Sequence, residues 1–390
     1  MKYLTSLALF IKRFPQKMQR ISARVKLIFS KKKLILENDL NLSIKNIENV
    51  RPRLPIDMGQ PLKKERTCEL SIIIPVYNSQ DFIKDCIDSV LKQNIKYSYE
   101  IICVNDGSTD NSLKILQSYN KKIKIITTPN QGLSVARNTG LANSNGKYIF
   151  FIDSDDIIPD NTINKMIEIA ISTDVDIVAG QTERCNYNAK YIYSPKKQKD
   201  IITEDYKTAC NNCNGCAWGK LYKYHLWENI RFFKGYSFED IIVFLNIFSQ
   251  AKSFYIFGTP VYRLRSRKSS LFSTQLSSVT TVDSLWSVLG CIENMSLLND
   301  SRKQYFYQLI LFHLSNVMYG RIKVLNNESL LQDSFIVASD IIYNFKNQNN
   351  LKSDFFGKNA KIYELVEKSF LDKDFLLWEK CSNALNTGDK

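Results

Sequence analysis

Ser71-Ile72-Ile73-Ile74-Pro75-Val76-Tyr77-Asn78 is a short, β-branched run that stops in a Pro-aromatic turn. Strands buried on both faces of a parallel sheet read this way, almost continuously apolar and bounded by turn residues. A second such run, Glu100-Ile101-Ile102-Cys103-Val104, opens onto Asn105-Asp106-Gly107-Ser108-Thr109-Asp110. Asn130-Gln131-Gly132-Leu133-Ser134-Val135-Ala136-Arg137-Asn138 comes next, and then Tyr148-Ile149-Phe150-Phe151-Ile152 runs into Asp153-Ser154-Asp155-Asp156. Each apolar run delivers polar or acidic residues at its C-terminal end, where open α/β sheets bind ligands. The last delivers three carboxylates within four residues, more negative charge than a strand end keeps without a cation to neutralise it.

The intervening segments have helical periodicity. Phe82, Cys86 and Val90, beside Ile83, Ile87 and Leu91, form two adjacent rows at i, i+4 and hence one apolar face. Ser108, Thr109 and Asp110 are N-cap candidates for a helix holding Leu113, Ile115 and Leu116. Ile163, Met166, Ile167, Ala170 and Ile171 mark another after Pro159-Asp160. Strands alternating with helices of this length predict an α/β fold with a doubly wound, mostly parallel sheet.

The ordered set "SIIIPVYN", "VNDGSTDNS", "NQGLSVARNTGL", "GKYIFFIDSDD", "WGKLY", "FED" and "VYRLRSR", over residues 70 to 267, resembles the family 2 glycosyltransferases, inverting enzymes of the GT-A fold. A lone Asp-x-Asp is a weak signal; seven motifs in order are a strong one. The resemblance implies transfer of a sugar from a UDP-sugar to a glycan hydroxyl in bacterial surface-polysaccharide synthesis, with Mn²⁺ or Mg²⁺ at the diphosphate. It assigns Asp153 and Asp155 to the Asp-x-Asp, with Asp155 the direct metal ligand and Asp156 close by. Pro75, Tyr77 and Asp106 match positions around the base and ribose. Glu239-Asp240 matches the acidic pair that supplies the general base, Asp240 preferred over Glu239. Trp218 and Lys220 match an acceptor-side motif.

Hard-oxygen carboxylates beside phosphate oxygens suit such a cation. A buried carboxylate with a raised pKa suits removal of a hydroxyl proton. Arg137 has two readings, binding phosphate or base, or neutralising the acidic cluster. Arg263, Arg265 and Arg267 follow a predicted strand, and alternation puts them on one face, from which they could reach the diphosphate. Glu239-Asp240 also reads as charge complementing a helix N-terminus. Cys210-x-x-Cys213-x-x-Cys216 has metal-site spacing but no nearby fourth ligand, and free thiols in a loop are the expectation.

Composition frames these motifs. The 390 residues allow two domains or one large domain with appendages. Nine scattered cysteines and no evident cleavable leader suit a reducing cytoplasm, and no run reaches bilayer-spanning length. Two histidines, outside every motif, make histidine-based catalysis improbable. Of the formal +14, residues 1–36 supply ten basic side chains and no acid, leaving +4 for the remainder. Leu4, Leu7, Ile11, Phe14, Met18, Ile21, Val25 and Ile28 add an apolar stripe interrupted at Pro15. A basic amphipathic helix fits the anionic inner face of a cell membrane, with lipid-linked glycan in reach. A coiled-coil arm or a helix packed on the protein's own body are the alternatives. No stacking pattern or motif points to nucleic acid.

The proline- and charge-rich stretch from Arg51 to Arg66 reads as a linker. The expected organisation is a basic N-terminal helical segment and linker over 1–66, then a GT-A domain over 67–275. That domain divides into a nucleotide-sugar half (67–185) and an acceptor half (186–275). A C-terminal helical appendage covers 276–390. Two other functions share the pattern: a nucleotide-sugar-binding module without turnover, and a nucleotidylyltransferase on a related fold. The intact acidic groups argue against the first. Pro75-Val76-Tyr77-Asn78, standing where a Gly-rich basic loop would be needed, argues against the second.

Overall fold

The computed structural model describes residues 34–36, 39–266, 278–295, 300–357 and 359–386. The chain forms two compact units, one of residues 53–275 with 289–302, the other of residues 1–52, 276–288 and 303–390.

The first unit is built on a nine-stranded sheet in the order β3-β2-β1-β4-β8-β5-β9-β7, with β6 paired to β5. The strands are β1 Cys68–Val76, β2 Tyr99–Asp106, β3 Lys124–Thr128, β4 Gly146–Phe151, β5 Ile177–Cys185, β6 Tyr191–Tyr193, β7 Ile201–Thr203, β8 Leu221–Lys223 and β9 Phe254–Arg265. β3, β2, β1 and β4 run parallel, as the alternation of strands and helices predicts. β5 and β9 are also parallel. β8 inserts antiparallel between β4 and β5, and β6 and β7 also pair antiparallel, so the sheet is mixed beyond its first four strands.

Double-sided burial explains the apolar runs. Ile72, Ile74, Ile101, Cys103 and Phe150 pack into one cluster with helices α1 (Ile83–Leu91) and α4 (Thr162–Thr173). Ile102 and Val104 face the other way, against Ala136 of α3 (Leu133–Ala142). On that face α3 lies so close to β1 that a Cβ on Gly140 would sit 2.3 Å from Cγ2 of Ile73. Between β2 and β3 the helix α2 covers Ser112–Gln117, and Asp110 accepts from the Ser112 amide at its start. Ile171 leaves the predicted core face and is exposed, within the last turn of α4.

Residues 53–66 belong to this unit, and this segment, read from the sequence as an extended linker, runs without helix or strand and is packed. The Arg66 guanidinium lies over the Tyr224 ring, 3.2 Å from its centroid, and donates to the Ser144 and Leu62 carbonyls. Tyr236 clamps Leu54, accepting from its amide and donating to its carbonyl.

The second unit is helical. Leu40–Val50, capped by Asp39, buries Ile47, and Ser43 donates to Asp333 of Glu328–Gln348 at 2.8 Å. Phe335, Phe370, Phe375 and Trp378 form its aromatic core. Ile35 forms an isolated antiparallel bridge with Asp374. The basic stripe of residues 1–33 and the last of the three arginines, Arg267, lie outside the described residues.

Candidate active site

The C-terminal ends of β1, β2 and β4 form one crevice wall because their loops are tied together. Asn78, held at φ 46°, donates its amide to Ser108 and accepts from the Thr109 amide. Ser79 donates its amide to Ser112, and its hydroxyl pairs with that of Ser154 at 2.7 Å, joining the first loop to the acidic one. Gly107 (φ 68°) lets the β2 loop touch Asn130, whose amide nitrogen would lie 2.6 Å from any Cβ there.

The acidic loop is fastened to the end of β9. Ile157 and Arg263 exchange two backbone hydrogen bonds. Asp156 accepts from the Arg265 amide at 2.8 Å and from the Tyr262 hydroxyl at 2.7 Å, and the same hydroxyl accepts from the Asp153 amide. Both Asp156 oxygens thus face protein donors in the interior, and burial pushes this carboxyl well above its ordinary range. Asp156 braces the loop, leaving Asp153 and Asp155 as its partly open carboxylates.

Arg137 is the hub. Its side chain is 1% exposed. Nη2 donates to Asp153 at 2.9 Å; Nη1 donates to Glu239 at 2.6 Å and to Asp240 at 3.2 Å. One guanidinium facing three carboxylates leaves two negative charges over. Burial, and then the Glu239 and Asp153 charges, push the Asp240 carboxyl up to about 7, against Arg137 and the Ala217 amide that favour its charged form. Its side chain keeps 30% of its surface open, so solvent tempers that rise. The acidic pair follows Phe238, whose φ of 61° is a strained conformation for a bulky residue. Of the two readings of Arg137, charge neutralisation is the one its contacts match.

Other sequence-selected residues stand further back. Asp106 is buried, its oxygens accepting from the amides of Gln131 and Gly132 at 2.9 and 2.8 Å, so it anchors the start of α3. Pro75 lies within β1 opposite Val104, and Tyr77 is 46% exposed at the rim. Arg265 does not extend into the crevice: it is 1% exposed and donates to the Asp155 and Tyr187 carbonyls and to Asp85. Arg263 pairs with Glu183. Trp218 is largely buried and stacks on Tyr262, centroids 4.3 Å apart. Lys220 is fully enclosed, donating to Asn214 and to the Cys216 carbonyl, and burial lowers its pKa. Both shore up the wall that presents the Ala217 amide to Asp240.

Sequence reasoning missed Tyr262, although it lies inside the quoted "VYRLRSR" run. Its hydroxyl joins Asp153 to Asp156, and an uncharged ring among arginines carries no local signal of that role. Sequence reasoning also missed the Ser79–Ser154 link, since neither serine bears a charge.

Among the described residues no three His, Cys, Asp or Glu side chains converge as a ready metal cage. Cys210, Cys213 and Cys216 are free thiols, and burial raises the pKa of each. His225 is half exposed and 3.8 Å from Asp176, while His313 packs edge-on against Phe312. Asp153 and Asp155 offer the hard donors of a cation that takes one or two carboxylates and completes its shell with phosphate oxygens.

Residues 71–230 match the family described as Glycosyl transferase family 2. The chain is 30% identical over 265 residues to "Glycosyltransferase GlyA" of Streptococcus pneumoniae serotype 4, covering 64% of this chain and 38% of that protein. It is 40% identical over 124 residues to "Poly(ribitol-phosphate) beta-glucosyltransferase" of Bacillus spizizenii, covering 30% of this chain and 20% of that protein. It thus spans well under two thirds of the length of both. Its fold matches S. aureus TarS 1–349, crystallised with UDP-GlcNAc, with a TM-score of 0.61 at 17% identity over 82% of this chain and 92% of that one.

Proposed function

We propose that this chain, whose residues 71–230 match the family described as Glycosyl transferase family 2, is an enzyme of that family and of the bacterial surface-polysaccharide type, and that on its GT-A fold it transfers a hexose or N-acetylhexosamine from a UDP-sugar to a hydroxyl of a glycan acceptor. The observation that carries the proposal is the contact of Arg137 with Asp153 on one side and Glu239-Asp240 on the other. It joins the donor end of the crevice to the base end.

Asp240 takes the proton of the acceptor hydroxyl as that oxygen bonds to C1 of the sugar. The bond from C1 to the diphosphate breaks on the opposite face, and UDP departs with the electron pair. A single displacement inverts C1. A carboxyl poised at about 7 is charged enough near neutrality to act and basic enough to accept the proton. Glu239 is the second choice for this role. As the proton arrives, Arg137 keeps two carboxylates rather than three, so the fixed guanidinium smooths the change of charge.

A Mn²⁺ or Mg²⁺ ion, when bound by Asp155 with Asp153 beside it, supplies positive charge to the leaving diphosphate. Pro75, Tyr77 and Asp106 are assigned to the nucleoside end, where the exposed Tyr77 ring suits stacking on uracil. Asp156 and Arg265 are positioning residues, and Trp218 and Lys220 support the acceptor wall. Residues 1–36 are assigned to the anionic inner face of the cell membrane, which brings a lipid-linked acceptor within reach. Among the described residues no helix is long and apolar enough to cross a membrane.

The test is UDP release from a panel of UDP-sugars by the purified chain, with mass analysis of an added glycan acceptor. Release together with acceptor growth by one sugar supports the reading. Tight UDP-sugar binding with neither result would leave the binding-module alternative.

A further inference from the structure

We propose that the β5–β6 hairpin and the lysine segment after it form a binding surface for a phosphate-bearing glycan chain that extends from the crevice. Residues 187 to 199 hold three tyrosines and four lysines, and no acid intervenes. Tyr187, Tyr191 and Tyr193 are 50%, 58% and 55% exposed, and Lys190, Lys196, Lys197 and Lys199 are all exposed. Contiguous exposed aromatics among charges mark a surface that meets something.

This surface is presented on fixed backbone. Tyr191 and Tyr193 pair with Cys185 and Arg184. The turn between the strands is closed by Asn186, whose amide donates to the Lys190 carbonyl at 2.8 Å and whose side chain accepts from the amides of Asn188 and Lys190. The lysine segment is pinned at Gly258, where the Gln198 amide donates to the Gly258 carbonyl and the Gly258 amide to Asp200. A Cβ on Gly258 would lie 2.0 Å from the Gln198 oxygen, so the close approach needs glycine. The hairpin starts at the crevice wall: Tyr187 donates to Asp81 at 2.9 Å and sets its ring edge on Phe82, just past the Tyr77 rim.

The chemistry selects the ligand. Phenol rings offer flat apolar faces to the C–H faces of sugars or polyols, with a hydroxyl at the tip. Lysines are flexible point charges suited to phosphodiesters that recur along a chain. A neutral glycan would leave the four lysines unused. A membrane surface asks for one continuous apolar face, whereas Ile192, 56% exposed, lies between two tyrosines and so points to the opposite side of the strand from both.

The acceptor assignment rests on the transferase reading, but the test does not need turnover. With the full chain, binding of a labelled poly(glycerol phosphate) oligomer is compared with an uncharged glucan of equal length and with phosphatidylglycerol vesicles. The Lys196→Gln, Lys197→Gln, Lys199→Gln variant should bind the oligomer about tenfold more weakly and with a shallower salt dependence, because fewer counterions are released. Arginine at the three positions should restore both. Tyr191→Ser with Tyr193→Ser should weaken binding while leaving the salt slope unchanged. UDP release without acceptor should be the same in every variant. Unchanged oligomer binding in the glutamine variant, or equal binding of the uncharged glucan, would overturn the proposal. So would loss of vesicle binding alone, which would assign the patch to lipid. Oligomer binding that responds as expected in a chain with no UDP release would keep this surface and sink the transferase reading.

Discussion

Nη1 of Arg137 lies 3.2 Å from Oδ1 of Asp240, and the same nitrogen lies 2.6 Å from Glu239. The base candidate therefore shares its counter-charge with a neighbour of like sign. That arrangement fixes its geometry through hydrogen bonds, while burial and the neighbouring carboxylates keep it protonatable near neutral pH.

Asp240→Asn should lower turnover by ~10²–10⁴-fold, the usual cost of losing a general base, and leave UDP-sugar affinity nearly unchanged. Single-turnover rates and donor titration of the same protein separate the two effects. If Glu239→Gln shows that signature instead, the roles within the pair are reversed.

The pH profile should have an acid limb near 7. A carboxyl raised above its ordinary value is protonated, and useless as a base, below that pH; activity rises as the proton leaves. The sign for stability is opposite: charging Asp240 costs the folded state more than the unfolded one, so its contribution declines from the ordinary carboxylate range up to about pH 7. Glu239→Gln removes a like charge and should move the acid limb of kcat/KM to lower pH. An unmoved limb would mean that another group sets it.

Arg137→Met would leave three carboxylates facing one another without their cation. Breaking a buried ion pair costs about 3–5 kcal/mol, and the low end applies because Asp153 and Asp240 are partly open. Thermal melting should show that loss at pH 8 and less of it at pH 5, where protonation of Asp240 relieves part of the repulsion. Equal destabilisation at both pH values would point to packing against Phe232 as the main role.

Chelation should abolish transfer, and Mn²⁺ or Mg²⁺ should restore it. Asp155→Ala should remove the cation dependence of UDP binding while the melting temperature stays within a few degrees. Full activity after exhaustive chelation would exclude the metal assignment.

Removing residues 1–33 should release the protein from anionic vesicles, with each basic side chain near such a surface contributing about 1 kcal/mol. The cut belongs before Leu34 because residues 34–36 carry the backbone bridge to residues 373–375, which a longer deletion would break. Equal sedimentation of both forms would assign the segment to packing or oligomerisation.

β1, β2 and β4 were legible because they are buried on both faces, and short, almost continuously apolar runs with turn residues at their ends suit that environment. β3, none of whose residues is buried, offers no such run. β6, β7 and β8 have three residues each, too short to carry a period. The helical periodicity that predicts α4 also includes Ile171, which stands about 80° round the helix from Ile163, at the edge of the buried face, and is exposed. In the site, charge was visible and its pairing was not. Asp153, Arg137 and Asp240 stand out in sequence, but nothing local reveals that they meet across 103 residues. Asp156 and Arg265 are charged and lie in motifs, but the structure turns both inward, onto backbone amides and carbonyls, the Tyr262 hydroxyl and, for Arg265, Asp85.

Asp106 holds the first amides of the helix whose fifth residue is Arg137. Anything that competes for that carboxylate therefore pulls on Arg137, which donates to Asp240. A nucleoside hydrogen-bonding to Asp106 would act at the start of this helix, about one turn from the arginine that contacts the base. Kinetically, this predicts a compulsory order of addition, donor before acceptor, so that the base is set only when there is a sugar to transfer. UDP should then inhibit competitively against the donor and noncompetitively against the acceptor at every donor concentration below saturation. A random-order pattern would show that the two ends work independently.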